Sequence, residues 1–159
     1  MRQSTGSTGT IPMSWTSPGQ LAGEDQMATV AAIHDWVAQN VDYDIAASRQ
    51  QNVPQKRASA VLQSKSGVCE HFSRLLAALC RANGIPAVVV RGYARREGEP
   101  WPAKPTHAWN EAFVNNRWVT IDATWDASYI EGDRFVKKFS RDYFDPDPSH
   151  LALTHHKIG

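Results

Sequence analysis

The sequence has little of what marks nucleic-acid-binding, membrane-spanning or disulfide-stapled proteins. Its 159 residues carry a formal net charge of only +1. No run of lysine and arginine exceeds two residues, so no nucleic-acid-binding surface is predicted. No apolar run approaches the roughly 20 residues that span a bilayer. We therefore expect one folded domain with neither a nucleic-acid partner nor a membrane span.

Cysteine is also scarce, because Cys69 and Cys80 are the only two. On one helix rising roughly 1.5 Å per residue they would lie about 16 Å apart, which is too far for a disulfide. Two cysteines at this spacing do not form a disulfide framework. We predict a free thiol at Cys69 and a small core residue at Cys80.

Composition divides the chain once. Residues 1–24 are rich in Ser, Thr, Gly and Pro and predict a flexible lead or linker, whereas residues 25–159 predict the folded domain. No signal peptide is visible at the N-terminus. The localisation stays open, because a cytosolic protein and a domain of a longer secreted, cell-surface or multidomain protein both fit.

Apolar residues at helical spacing predict two main helices. The first covers residues 25–40, and the second begins near Gly67 or Val68 and ends at Asn83 and Gly84. Between them, residues 45–57 predict a loop and residues 58–63 a short helix. The buried stripe of the second helix is predicted to contain Phe72, Leu75, Leu76 and Leu79.

The second half of the chain predicts an antiparallel sheet. The apolar run at residues 85–93 predicts a central strand covered on both faces. Residues 107–114 and 117–122 predict two strands joined by a tight turn at Asn115 and Asn116.

The register of this hairpin brings two polar side chains together. The turn pairs Trp109 with Asp122, and His107 lies two residues before Trp109 on the same face. His107 and Asp122 then form a cross-strand diagonal of about 7–8 Å between backbone positions, which a hydrogen bond between the side chains can close.

Cys69 supplies the third chemical group. In the first turn of its helix, unpaired amides and the positive end of the helix dipole stabilise a thiolate. A thiolate attacks carbonyls, an imidazole moves the proton, and a carboxylate fixes the imidazole's tautomer. Cys69, His107 and Asp122 are therefore the predicted catalytic residues.

The motifs around these residues resemble the transglutaminase-like superfamily, a papain-related group with a Cys-His-Asp triad. The resemblance rests on GVCEHF at residues 67–72, ANGIPAVVVRGY at 82–93, HAWNE at 107–111 and WVTIDATW at 118–125. It implies an α+β fold, in which a helical N-terminal part carries the cysteine helix and packs it on an antiparallel β-sheet. The compact form is most like the small bacterial and kyphoscoliosis-peptidase-like branch.

Further site residues are only candidates. Gln63, Tyr43 and Trp36 are alternatives for a second oxyanion donor beside the Cys69 amide. Trp109 and Trp125 are expected to wall the site and contact substrate, or to pack beneath it. The tail, with His150 and His155 at a spacing compatible with zinc, is interpreted as a polar surface tail that packs around the core, and no metal or cofactor is predicted.

The resemblance implies a cysteine-dependent enzyme that acts on peptide or amide carbonyls of a protein or peptide substrate through a thioester. Peptidase-like or amidase-like hydrolysis is the expected reaction. Two alternatives stay open, which are amine cross-linking of protein glutamine and a non-catalytic transglutaminase-like interaction module.

Overall fold

A computed structural model describes residues 25–50, 52–131 and 134–158, so the predicted lead at residues 1–24 lies outside the described residues. The elements, in chain order, are α1 (Gln26–Asn40), β1 (Asp42–Tyr43), α2 (Ile45–Ser48), α3 (Ala58–Ser64), β2 (Ser66–Gly67), α4 (Cys69–Ala82), β3 (Ala87–Ala94), β4 (His107–Val114), β5 (Arg117–Ile121), α5 (Ala123–Ala127), β6 (Ser128–Glu131), β7 (Arg134–Lys137), α6 (Pro148–Leu151) and β8 (His155–Lys157). None of the helices in these ranges has the length and apolar character needed to cross a membrane.

The main sheet is antiparallel, with strand order β5-β4-β3-β8. Its β4–β5 hairpin has the predicted register, with Val114 opposite Arg117. Asn115 and Asn116 both have positive φ, at 53° and 66°, as a two-residue turn of matching twist requires. The hairpin prediction is confirmed, and it delivers His107 and Asp122 to one end of the sheet.

Helix α4 packs against this sheet and is central to the core. Its predicted stripe is buried, and Phe72, Leu75 and Leu76 are each at most 1% exposed. Burying a side chain of this size contributes about 1.5–3 kcal/mol. The apolar face of α1, with Val30, Ile33 and Val37, closes the other side of the same core.

Two details of the predicted elements are wrong. The segment expected to be a loop contains α2, which starts where the Asp44 carboxylate accepts the amide of Ala47. Strand β3 is not covered on both faces, because Val88 is 40% exposed. The helices cover one face of the sheet, so an unbroken apolar run does not require two covered faces here.

A buried polar cluster joins α1 to α5. His34, which is fully buried, places Nε2 2.8 Å from Oδ2 of Asp126 and Nδ1 2.9 Å from Oδ1 of Asp35. Burial opposes a charge on His34, but the hydrogen bonds and charges of both carboxylates outweigh it and raise its pKa. Asp126 also accepts hydrogen bonds from the Ser140 hydroxyl and the Tyr143 amide. The cluster anchors α5, whose N-cap is Asp122.

Candidate active site

Cys69 is the first residue of α4, in the predicted first turn. The amide of Val68, the N-cap, donates to Nδ1 of His71 at 3.0 Å, while His71 Nε2 lies 3.0 Å from the carbonyl oxygen of Pro54. Because Nδ1 accepts a hydrogen bond, the proton of this ring is on Nε2. His71 therefore closes the helix start and is not available as a base for Cys69.

His107 and Asp122 meet as the register predicted. Nε2 of His107 lies 2.6 Å from Oδ2 of Asp122, and the Asp122 side chain is 1% exposed. The other carboxylate oxygen, Oδ1, accepts the amide of Trp125 at 3.1 Å and so caps α5. The carboxylate thus begins a helix and orients the imidazole at the same time.

Cys69 lies beside this pair. Both Cys69 and His107 line each of two neighbouring cavities, and Sγ of Cys69 is 4.0 Å from the carbonyl oxygen of Thr106, the residue before His107. Because Nε2 of His107 is taken by Asp122, its Nδ1 is the nitrogen left for the thiol. The structure therefore brings together the three residues that the sequence predicted as catalytic.

The pKa values of the imidazole and the carboxyl reflect this contact. Burial opposes a charge on His107, but the charge and hydrogen bond of Asp122, followed by those of Cys69, outweigh it and raise the pKa of His107 to about 10. Burial also opposes a charge on Asp122, but His107 and then His155 hold the pKa of that carboxyl well below its ordinary value. At neutral pH the pair is an imidazolium and a carboxylate.

Aromatic rings surround the imidazole. Trp109, which is 3% exposed, stacks with His107 at a centroid distance of 5.7 Å and an interplanar angle of 28°. Trp125 lies 5.7 Å from His107 at 46° and lines one of the cavities. Trp109 therefore packs beneath the site, and Trp125 forms part of its wall.

The three oxyanion candidates lie in different places. Tyr43 lines a cavity together with Cys69, and the charge of Cys69 contributes to the pKa of Tyr43, which burial above all raises. Trp36 is 5% exposed within the hydrophobic core. Gln63 is exposed on α3 and lines neither of the two cavities. Of the three, the structure brings only Tyr43 to the site.

The tail packs around the core, but one of its two candidate zinc ligands lies inside the protein. His155 is not on the surface, because its side chain is 1% exposed and its Nε2 lies 2.8 Å from Oδ2 of Asp122. His150, the other half of the zinc spacing, is exposed and faces Tyr143. Within the described ranges, His107, Asp122 and His155 could hold a metal ion, since their ligand atoms lie within 4.8 Å of one another. The short distances from Asp122 to His107 and to His155 are also explained as hydrogen bonds, if Nε2 of each histidine carries a proton that the carboxylate accepts.

Two cavities flank the Cys69–His107 pair. The first, of about 330 Å³, lies between residues 53–55 and the loop before β4, and the Glu70–Arg91 ion pair with a 2.6 Å contact borders it. The second, of about 380 Å³, is mainly aromatic and is lined by Tyr43, Trp125, Tyr129 and Tyr143, with Arg96 and Thr124.

Sequence reasoning missed two buried histidines. His34 lies beside the apolar stripe of the first helix, and a histidine at such a position needs buried partners. His155 has no local signal, because the three-residue strand β8 places it through pairing with β3, where it lies opposite Ala94.

Comparisons with known proteins point to one superfamily. A sequence model of the transglutaminase-like superfamily matches residues 17–123. Kyphoscoliosis peptidase of Homo sapiens is 25% identical over 132 residues, which cover 79% of this chain and 20% of that protein. A protein-glutamine gamma-glutamyltransferase of Pseudomonas aeruginosa is 34% identical over 77 residues, which cover 43% of this chain and 11% of that protein.

Solved structures show the same fold. A protein of Cytophaga hutchinsonii, described as a candidate cysteine protease, matches with a TM-score of 0.51 and 28% identity and covers 83% of this chain and 42% of that one. The expected α+β fold, with a cysteine helix on an antiparallel sheet, is confirmed. The chain spans about a fifth of the length of kyphoscoliosis peptidase.

Proposed function

The chain belongs to the transglutaminase-like superfamily, and we propose that it is a cysteine-dependent enzyme that acts on peptide or amide carbonyls through a thioester. One observation carries the proposal. The imidazole of His107, bound to the buried Asp122 carboxylate at 2.6 Å, lies beside a partly exposed cysteine at the start of α4.

The reaction has two halves. In the first, Sγ of Cys69 attacks the carbonyl carbon, and the carbon–nitrogen bond then breaks as His107 gives a proton to the leaving amine. In the second, water attacks the thioester, His107 takes a proton from the water, and the carbon–sulfur bond breaks. The raised pKa of His107 suits the first half, because the ring already holds the proton that the amine needs.

The developing oxyanion needs donors. The amide of Cys69 is one of the first four of α4, and such amides lack an intrahelical acceptor. We assign the second donor to the Tyr43 hydroxyl, because Tyr43 lines the aromatic cavity next to Cys69. Removal of one such donor typically lowers kcat about 10²–10³-fold.

Each of the two cavities can hold one side of the substrate. The aromatic cavity, with Trp125 and Tyr143, suits an apolar or aromatic side chain, and the cavity beside Glu70 and Arg91 suits a polar one. A protein or peptide that lies across both would present its amide bond to Cys69.

Water is the favoured acceptor, because Cys69 is partly exposed and solvent can reach a thioester formed there. Amine transfer is the second candidate, and its support is the likeness to a protein-glutamine gamma-glutamyltransferase over 77 residues. The non-catalytic alternative has less support, since Cys69, His107 and Asp122 are all present and adjacent.

Trapping the acyl-enzyme tests the proposal. The protein is incubated with a peptide library, with and without a fluorescent primary amine, and mass spectrometry locates the acyl adduct. We expect an adduct on Cys69, released mainly as a free acid in wild type and absent in Cys69→Ala. Release mainly as the amine conjugate would support cross-linking, and no adduct with any peptide or protein substrate would contradict an enzymatic function.

A further inference from the structure

His155 contacts the His107–Asp122 pair from strand β8, which lies at the opposite edge of the sheet from β5. Strand β8 pairs with β3, with His155 opposite Ala94, and this pairing turns the side chain inward. Its Nε2 lies 2.8 Å from Oδ2 of Asp122, the same oxygen that accepts Nε2 of His107 at 2.6 Å. Two imidazoles therefore share one carboxylate oxygen.

The carboxylate is held by three donors. Oδ2 accepts both imidazoles, and Oδ1 accepts the amide of Trp125 at 3.1 Å. Since Asp122 is 1% exposed, rotation of the carboxylate would leave buried polar groups without partners, which costs about 1–3 kcal/mol for each. Loss of His155 would remove one of the three constraints.

Asp122 fixes the proton on Nε2 of His155, because an ionised carboxylate can only accept a hydrogen bond. The other nitrogen, Nδ1, lies 2.8 Å from the hydroxyl oxygen of Thr154, which is 2% exposed. That hydroxyl also lies 3.2 Å from the carbonyl oxygen of Leu151, to which it can donate its one hydrogen. The ring also contacts Trp109 and Trp125 at centroid distances of 4.9 and 4.6 Å, which fixes its plane.

We propose that His155 is a positioning residue for acyl transfer. It holds the Asp122 carboxylate against His107 and takes up part of the negative charge of that carboxylate. This inference rests on the proposed function. A hydrogen bond to a carboxylate weakens its attraction for other protons. His155 thus keeps the His107 imidazolium from being held too tightly, so that its proton can pass to the leaving amine.

Other groups that titrate or carry charge around this cluster come from several elements. They are Cys69 of α4, Tyr43 of β1, Arg96 after β3, and Tyr143 before α6. Burial above all raises the pKa of both tyrosines. None of these four residues is changed in the test, so their contribution is the same in every variant.

The test measures how the rate of Cys69 alkylation by iodoacetamide depends on pH, resolved from Cys80 by peptide mass spectrometry. The upper transition of this profile reports loss of the His107 proton. We compare His155→Leu, which has no donor, with His155→Gln, whose amide can donate to Asp122 and whose carbonyl can accept from Thr154. This readout needs no substrate.

We expect His155→Leu to move the upper transition upward by about half a pH unit and to slow acylation roughly tenfold, which is far less than removal of the aspartate charge. His155→Gln should stay within about threefold of wild type in acylation, because it keeps the donor. If His155→Leu does not fold, His155→Phe tests the same point, since it keeps an aromatic ring without a donor and should shift the transition in the same direction.

Three results would overturn the inference. Folded His155→Leu or His155→Phe with the wild-type pH profile would show that the N–H of His155 does not act on His107. Equal defects in His155→Leu and His155→Gln would show that only ring packing matters. If instead His107→Ala leaves Cys69 alkylation unchanged, the proposed function fails, and the inference fails with it.

Discussion

Gly67 lies so close to His71 that a side chain at position 67 would overlap the histidine. A Cβ atom on Gly67 would lie 2.5 Å from Cβ of His71 and 2.7 Å from its Nδ1. The same Nδ1 accepts the Val68 amide immediately before Cys69. The missing side chain at position 67 thus allows the ring to close the helix start that carries the predicted nucleophile.

Gly67→Ala should therefore destabilise the protein and disturb Cys69. Overpacking of this kind costs about 1–3 kcal/mol, measured by denaturant unfolding, and we also expect slower alkylation of Cys69. Gly98→Ala is the matched control, because it meets no atom within 4 Å and has only the strain of a φ of +86°. Equal stability and equal Cys69 reactivity in the two variants would contradict this account.

Cys69→Ala should abolish acyl transfer and leave the fold intact, since Cys69 is only partly buried at a helix end. Activity assays and circular dichroism check the two halves of this prediction. Cys80→Ala is the control, and it should do the reverse by costing about 1–2 kcal/mol in the core while retaining turnover. Wild-type turnover in Cys69→Ala would remove the nucleophile assignment.

Iodoacetamide should label Cys69 far faster than Cys80. Burial raises the pKa of Cys80 to about 12 and also blocks access to it, whereas Cys69 lies beside an imidazolium at a helix N-terminus. In His107→Ala the Cys69 rate near pH 6 should fall sharply, as followed by mass spectrometry. Similar rates for both thiols in the wild type would indicate an inactive site.

Asp122→Asn should lower the acylation rate on the order of 10²-fold and preserve substrate binding. An amide lacks the charge that holds the imidazolium and permits the wrong tautomer. Pre-steady-state kinetics measure the loss, and the exposed Asp142→Asn is the control. Asp126→Asn should instead lower stability, because Asp126 holds His34, Ser140 and Tyr143. An active Asp122→Asn beside a folded, inactive Asp126→Asn would reverse the assignment.

His107 should also make stability depend on pH. Its pKa rises from 6.5 to about 10 on folding, so its contribution is complete below pH 6.5 and is lost as pH rises toward 10. The loss is a few kcal/mol at most, at about 1.4 kcal/mol per pKa unit. Thermal unfolding of Cys69→Ala between pH 6 and 10 should show a steeper fall in Tm than Cys69→Ala with His107→Gln. Parallel curves would contradict the raised pKa.

Whether the sequence could predict an interaction depended on how far apart its residues lie along the chain. The register that joins His107 to Asp122 follows from a two-residue turn, and both asparagines have the backbone conformation that such a turn needs. The α2 helix also had a local signal in Asp44, its N-cap, and that signal was overlooked. By contrast, the exposure of Val88 depends on which face of the sheet the helices cover, and a run of apolar residues does not specify that face.

His155 is the clearest example of non-local information. Its strand has only three residues, and its register with β3 depends on the whole sheet. The residues next to it in the sequence do not distinguish a buried histidine from a surface one. Tyr43 was recognisable as a candidate, but Gln63 and Trp36 were equally so until packing placed them on α3 and in the core.

The shared carboxylate of Asp122 also has a consequence for the order in which the protein folds. His107 is 15 residues from Asp122, within one hairpin, whereas His155 is 33 residues away and Cys69 lies 37 residues before Thr106. Closing short loops is faster than closing long ones. The hairpin can therefore form early, but Asp122 has all three of its hydrogen-bond donors only after β8 has joined the sheet. Chains caught before that step would carry His107 on an aspartate that still lacks one donor, so the site reaches full reactivity only when the fold is complete.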